Sequence, residues 1–118
     1  MLSPAHNSAV VEWLSGYSKH PLAAFSLWST LFVYMREDDG AGEIVLPDSE
    51  WEEDAGIEPD QAPLLLNELV SINALLRDHQ GGRTRFFMNP WVATYIPDPD
   101  VHRTARERAG PLLVEMPS

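Results

Sequence analysis

The chain contains no cysteine, which excludes a disulfide framework and any thiolate metal site and fits a reducing compartment. It is also poor in cations: 8 Lys and Arg stand against 18 Asp and Glu, a formal net charge of -10. General attraction to phosphate therefore cannot come from the molecule as a whole. Long hydrophobic runs are missing too. The longest, "LAAFSLWSTLFVYM", is too short to span a bilayer and is broken by Ser26, Ser29 and Thr30. The opening "MLSPAHNSAV" lacks the basic region and apolar stretch of a signal peptide. A cytoplasmic protein with no membrane partner is expected. No glycine-rich phosphate loop follows a strand, and no serine sits in a nucleophile elbow. His6, His20, His79 and His102 are scattered without ligand spacing, and "DPDVH" at Asp98 to His102 reads as a structural turn rather than a cation site. Neither catalysis nor a cofactor nor a metal is expected.

What is present suits one ordinary domain. At 118 residues, with four Trp, four Phe and three Tyr, the chain can bury roughly two-thirds of its unfolded surface. Charge is unevenly distributed along it. Between Arg36 and Arg77 there is no Lys or Arg, while acidic residues run from Glu37 through Glu50, Glu53, Glu58 and Asp60 to Glu68. Positive charge collects later, at Arg77, Arg83, Arg85, Arg103, Arg106 and Arg108.

Periodicity supplies the elements. Asn7 or Ser8 can cap a helix to about Tyr17 with Val10, Val11, Leu14 and Tyr17 on one side. A second, broadly apolar helix runs from Leu22 to Arg36, with Phe25, Trp28, Leu31, Phe32 and Met35 in line. "EIVLP" reads as a short strand. A helix capped by Asp48 or Ser49 follows. "GIEP" then turns the chain into another helix from about Pro59 to Ile72, burying Ala62, Leu65, Leu66, Leu69 and Val70, with Asn73 as a left-handed terminator. "LLRDHQ" and "RTRFFM" flank Gly81-Gly82 as a β-hairpin in which Arg83, Arg85 and Phe87 alternate with Thr84, Phe86 and Met88. Asn89-Pro90 closes the strand, and one or two helical turns are expected within Val101 to Ala109.

The fold class expected is therefore mainly α with a small β-hairpin, an α+β arrangement. Its element order, helix, strand, helix, turn, helix, hairpin, is that of a winged helix-turn-helix. "LVSINALLRDHQGGRTRFFMNPWVA" further resembles the third helix, wing and Asn-Pro ending of MarR-like actinobacterial regulators and of small winged-helix plasmid replication initiators, within a likeness covering about Leu22 to Ala93. The resemblance implies an N-terminal helical extension over 1–20, a winged-helix domain over 21–96 and a Pro- and Arg-containing tail over 97–118. It also implies that Pro59 to Ile72 enters the major groove of duplex DNA while Arg83, Thr84 and Arg85 hold the backbone.

On the outward stripe of that helix, Asp60, Leu64, Asn67 and Ser71, only Asn67 and Ser71 can read base edges well, with Gln61 at the margin. Asp60, Glu58 and Glu68 are expected to face phosphates, where each forfeits a cationic contact and its counterion release. Two functions remain. The first is a DNA-binding regulator or a replication or maintenance factor of a plasmid or phage, acting as a homodimer through its N-terminal helix and the helix from Leu22, since symmetric pairing doubles weak contacts. The second is an interaction module that does not bind DNA, with Glu50, Glu53, Glu58, Asp60 and Glu68 as an acidic face for a basic protein or as a mimic of DNA.

Overall fold

A computed structural model of the chain describes residues 2–35, 42–46, 51–94 and 98–114. Among them are five helices and a three-stranded antiparallel sheet, the mixed α+β class expected. Helix α1 (Pro4–Tyr17) starts earlier than its apolar periodicity suggested. Ser3 is the cap, its hydroxyl accepting from the His6 amide, and Pro4 occupies the first helical position, where a missing N–H costs nothing. Asn7 is freed for other work and accepts a hydrogen bond from the Trp28 indole at 2.8 Å, tying α1 to α2 (Pro21–Val33). Ala9, Val10 and Leu14 from α1 and Ala24, Leu27, Trp28 and Leu31 from α2 are buried in one core. Val11 and Tyr17, expected on the apolar side, lie outside it, and Tyr17 is 74% exposed.

Strand β1 is short, Glu43–Ile44, and its neighbour Val45 donates back to the Tyr34 carbonyl beyond α2. Helix α3 is a single turn, Trp51–Asp54, and the cap expected at Asp48 or Ser49 lies outside the described residues. Trp51, Ala55 and Ile57 anchor this corner in the core. Helix α4 spans Ala62–Ser71 rather than Pro59 to Ile72. Residues 59–61 form a turn closed by the Gln61 amide on the Glu58 carbonyl, so Pro63 falls in the first helical turn, where it breaks no helical bond. Ala62, Leu65, Leu66 and Leu69 are buried, and Val70 is half-buried. Asn73 ends the helix at φ 63, the left-handed conformation that its short polar side chain tolerates.

Strands β2 (Leu75–Gln80) and β3 (Arg83–Met88) form the hairpin, pairing Leu75 with Met88 through Gln80 with Arg83. Gly81 and Gly82, at φ 57 and 78, make the two-residue turn that matches the strands' twist. β1 adds to the free side of β3, giving the order β1-β3-β2. The register sorts side chains by face. Leu75, Arg77 and His79 share one face with Met88, Phe86 and Thr84; Leu76 and Asp78 share the other with Phe87, Arg85 and Glu43.

Residues 98–114 are bound into this unit. Helix α5 (Pro99–Ala109) is longer than the turn or two expected, capped by Asp98, whose carboxylate accepts from the amides of Asp100 and Val101. Beyond it Leu112 is buried in the common core, and Leu113 donates to the Ile72 carbonyl at 2.8 Å. Two asparagines make the junction. Asn89, fully buried, donates to the carbonyls of Asn73 and Gly110 and accepts from the Trp91 amide. Asn73 donates to the carbonyls of Ala109, Gly110 and Pro111.

Candidate nucleic-acid interface

Packing one side of α4 on the core leaves a row on the other side. Asp60, Pro63, Asn67 and Ser71 are exposed, whereas Leu64 is half-buried, so Pro63 takes the place that spacing assigned to Leu64. The hairpin face that carries Arg77, His79, Thr84 and Phe86 lies alongside. Together with Pro63, Leu66 and Asn67 these residues line a groove of about 320 Å³. The groove has a defined polar arrangement. Arg77 donates through Nη2 to Oδ1 of Asn67, joining strand to helix, and its guanidinium lies 5.6 Å from the Phe86 ring centroid. His79 Nδ1 and the Thr84 hydroxyl are 3.1 Å apart in a shared hydrogen bond.

The expected site residues meet different fates. Arg83 is exposed beside the glycine turn. Thr84 is exposed on the α4 side, where it engages His79. Arg85 points to the opposite face and forms a forked pair with Glu43, Nε to Oε2 at 2.8 Å and Nη2 to Oε1 at 2.9 Å. The Glu43 side chain is only 14% exposed, so a phosphate approaching Arg85 meets a carboxylate already in place. Gln61 accepts from the Glu58 amide at 3.1 Å and so closes its own turn. The Ser71 hydroxyl donates to the Glu68 carbonyl at 2.6 Å, a bond within its own helix.

Glu68 corrects the expected acidic stripe. Its carboxylate accepts from the Ser18 hydroxyl at 2.6 Å and from the Lys19 amide at 2.9 Å, binding α4 to the link between α1 and α2. It is a structural staple on the flank of α4 and does not join Asp60 on the exposed row. Glu53, Glu58 and Asp60 are exposed at the α3–α4 corner, and Glu50 lies outside the described residues.

In the second basic region Arg103 and Arg106 have partners within the fold, while Arg108 is exposed. Arg103 pairs with Asp100 at 2.8 Å. Arg106 lies over the Trp91 ring at 4.8 Å, while its carbonyl accepts from the Trp91 indole. His102 Nε2 lies 3.0 Å from the Pro90 carbonyl, to which it must donate, because a carbonyl only accepts. With Asp98 capping α5, the "DPDVH" residues have structural partners, and among the described residues no group of three or more His, Asp or Glu could hold a metal ion. No helix among them is long and apolar enough to cross a membrane.

Arg77 and Phe86, which line the groove, are not among the residues expected at the interface. The signal for them lay in the hairpin itself, because two-residue alternation with a Gly81-Gly82 turn sets Arg77 directly across from Phe86. No family model, curated protein or solved structure matches the chain.

Proposed function

We propose that the chain is a winged helix-turn-helix protein that binds duplex DNA, with α4 as the helix presented to the major groove and the β2–β3 hairpin as the wing. The observation that carries this reading is the Asn67–Arg77 bond, by which the exposed row of α4 and one face of the hairpin become one continuous surface. The sheet order β1-β3-β2 is compatible with it, because β2, which carries Arg77, lies at one sheet edge and packs against α4. Arg83 and the exposed end of the hairpin hold the phosphate backbone, and Asn67 with Arg77 meets the bases. Arg85 contributes less, since Glu43 already neutralises it. The wing and the Asn-Pro ending suit a regulator, or a replication or maintenance factor of a plasmid or phage. A homodimer through α1 and α2 fits so modest a cationic surface, and Tyr17 on α1 with Leu22 and Val33 on α2, 74%, 81% and 78% exposed, are apolar groups open to a second copy.

Retention on immobilised nonspecific duplex DNA at low salt tests this reading. The wild type is retained and released by added salt, and Arg83→Ala elutes earlier; passage of the wild type in the void volume contradicts it. A second reading is favoured by one observation: Glu53, Asp54, Glu58 and Asp60 are exposed together at the α3–α4 corner, as a docking surface for a basic protein would be. That reading predicts no retention on DNA, together with partner capture that weakens in Glu53→Gln/Glu58→Gln.

A further inference from the structure

We propose that the cavity between the sheet and α5 binds a medium-chain fatty acid, its carboxylate held by Arg108 and its acyl chain lying along α5 toward Val101. The site is on the sheet face turned away from α4, and it stands independently of DNA binding.

The cavity follows from how α5 is attached. His102 and Arg106, one helical turn apart, anchor one flank of the helix: the His102 ring donates to the Pro90 carbonyl, and the Arg106 guanidinium lies over Trp91. The adjoining face, Val101, Thr104, Ala105 and Arg108 at i, i+3, i+4 and i+7, then shares with Leu76 and Phe87 of the sheet a space of about 600 Å³. Short side chains keep it open. Ala93, Ala105 and Ala109 end at Cβ, and the Thr104 hydroxyl donates to the Asp100 carbonyl within its own helix. The walls are mainly apolar, and the volume falls in the range of about 300 to 1,000 Å³ usual for small-molecule sites.

Burial and charge together define the ligand. Val101 is 54% exposed, and Leu76 and Phe87 are only half-buried, so an apolar chain in the cavity would cover surface that the fold leaves wet. Arg108 adds a requirement for an anion. It also lines the cavity, yet among the described residues its guanidinium has no ion pair or hydrogen bond, in a chain of formal net charge -10. No acidic residue is among the described lining residues, and Glu43, on the same sheet face, is held by Arg85. The forked N–H groups of an arginine match the two oxygens of a carboxylate. Length follows from the helix. Val101 and Arg108 are seven residues apart, about 10 Å along the axis, which suits an extended acyl chain of medium length. A short acid would reach only part of this wall, and a long one would run past Val101 into water.

Isothermal titration calorimetry of the full chain with octanoate, octanol and butyrate tests the proposal. One octanoate should bind per chain. Butyrate, for lost apolar contact, and octanol, for lost charge, should each bind at least about tenfold more weakly. Arg108→Gln should weaken octanoate about tenfold and leave octanol unchanged, a split that general loss of structure would not produce. Ala105→Leu, which fills the cavity, should weaken both ligands. Arg103→Gln, on another face of α5 and paired with Asp100, should alter neither. No binding of octanoate at millimolar concentration overturns the proposal. So does octanol that binds as tightly as octanoate, or an octanoate affinity that is the same in the wild type, Arg108→Gln and Ala105→Leu.

Discussion

Asn67 and Asn73 are six residues apart in the chain and show how the same side chain serves two ends. Asn73 stands in the left-handed conformation just beyond α4, and with the fully buried Asn89 it satisfies the carbonyls of Ala109, Gly110 and Pro111. Most of that junction is closed: apart from the exposed bond to Pro111 its donors are spent on part-buried backbone, and losing one of those leaves a poorly solvated carbonyl behind. The Asn67–Arg77 pair is open. Its bond lies at the surface, where water can replace either partner, so the pair adds little to stability and can be handed to a ligand. Fold and candidate function are thus separated within one stretch of polypeptide, and mutation can test the separation.

The largest effect should fall on the closed junction. Asn89→Ala removes a side chain with three hydrogen bonds and strands the Asn73 carbonyl and the Trp91 amide, so stability to urea should fall by about 3 kcal/mol or more. A loss under about 1 kcal/mol would mean that water repairs the junction and that it is not closed.

Glu68 gives an intermediate case. Glu68→Ala should cost about 1 to 2 kcal/mol, because the Ser18 hydroxyl and the Lys19 amide lose their acceptor, and Glu68→Gln should cost less, as one oxygen remains. At equal folded fraction, Glu68→Gln should leave DNA affinity unchanged. A tighter complex at low salt would show instead that this carboxylate faces phosphate.

The smallest stability change belongs to the open pair. Arg77→Ala should alter urea stability by no more than about 0.5 kcal/mol. A loss comparable to that of Asn89→Ala would abolish the distinction between the two clusters.

The elements that could be read from the sequence are those fixed by local chemistry. Gly81-Gly82 between alternating residues specifies a two-residue turn, and through it the register of β2 on β3. Asn73 as terminator and the buried row from Ala62 to Leu69 also follow from neighbours in the chain. What escaped was decided at a distance. Glu68 meets Ser18 across 50 positions and Arg85 meets Glu43 across 42, and no local pattern distinguishes these from solvated charges. Asn7 has a good capping side chain, yet the Trp28 indole claims it and Ser3 caps α1 instead. Helix α5 was underestimated for a related reason. None of its residues is fully buried and its aliphatic side chains are only Val101, Ala105 and Ala109, a stripe too thin to mark a long helix, and it is held by the Asp98 cap and by Arg106 on Trp91.

The central claim is that duplex DNA meets the α4–hairpin surface and not the other basic region on α5. It is tested most directly by the salt dependence of binding to a random-sequence duplex, comparing the wild type, Arg83→Ala and Arg103→Ala by fluorescence anisotropy. Each phosphate contact contributes about 0.9 to the slope of log K against log salt. Arg83→Ala should therefore lower the slope by about one unit. Arg103→Ala, whose guanidinium is paired with Asp100, should leave it as in the wild type. Equal slopes for the wild type and Arg83→Ala, or a larger fall for Arg103→Ala, would contradict the account.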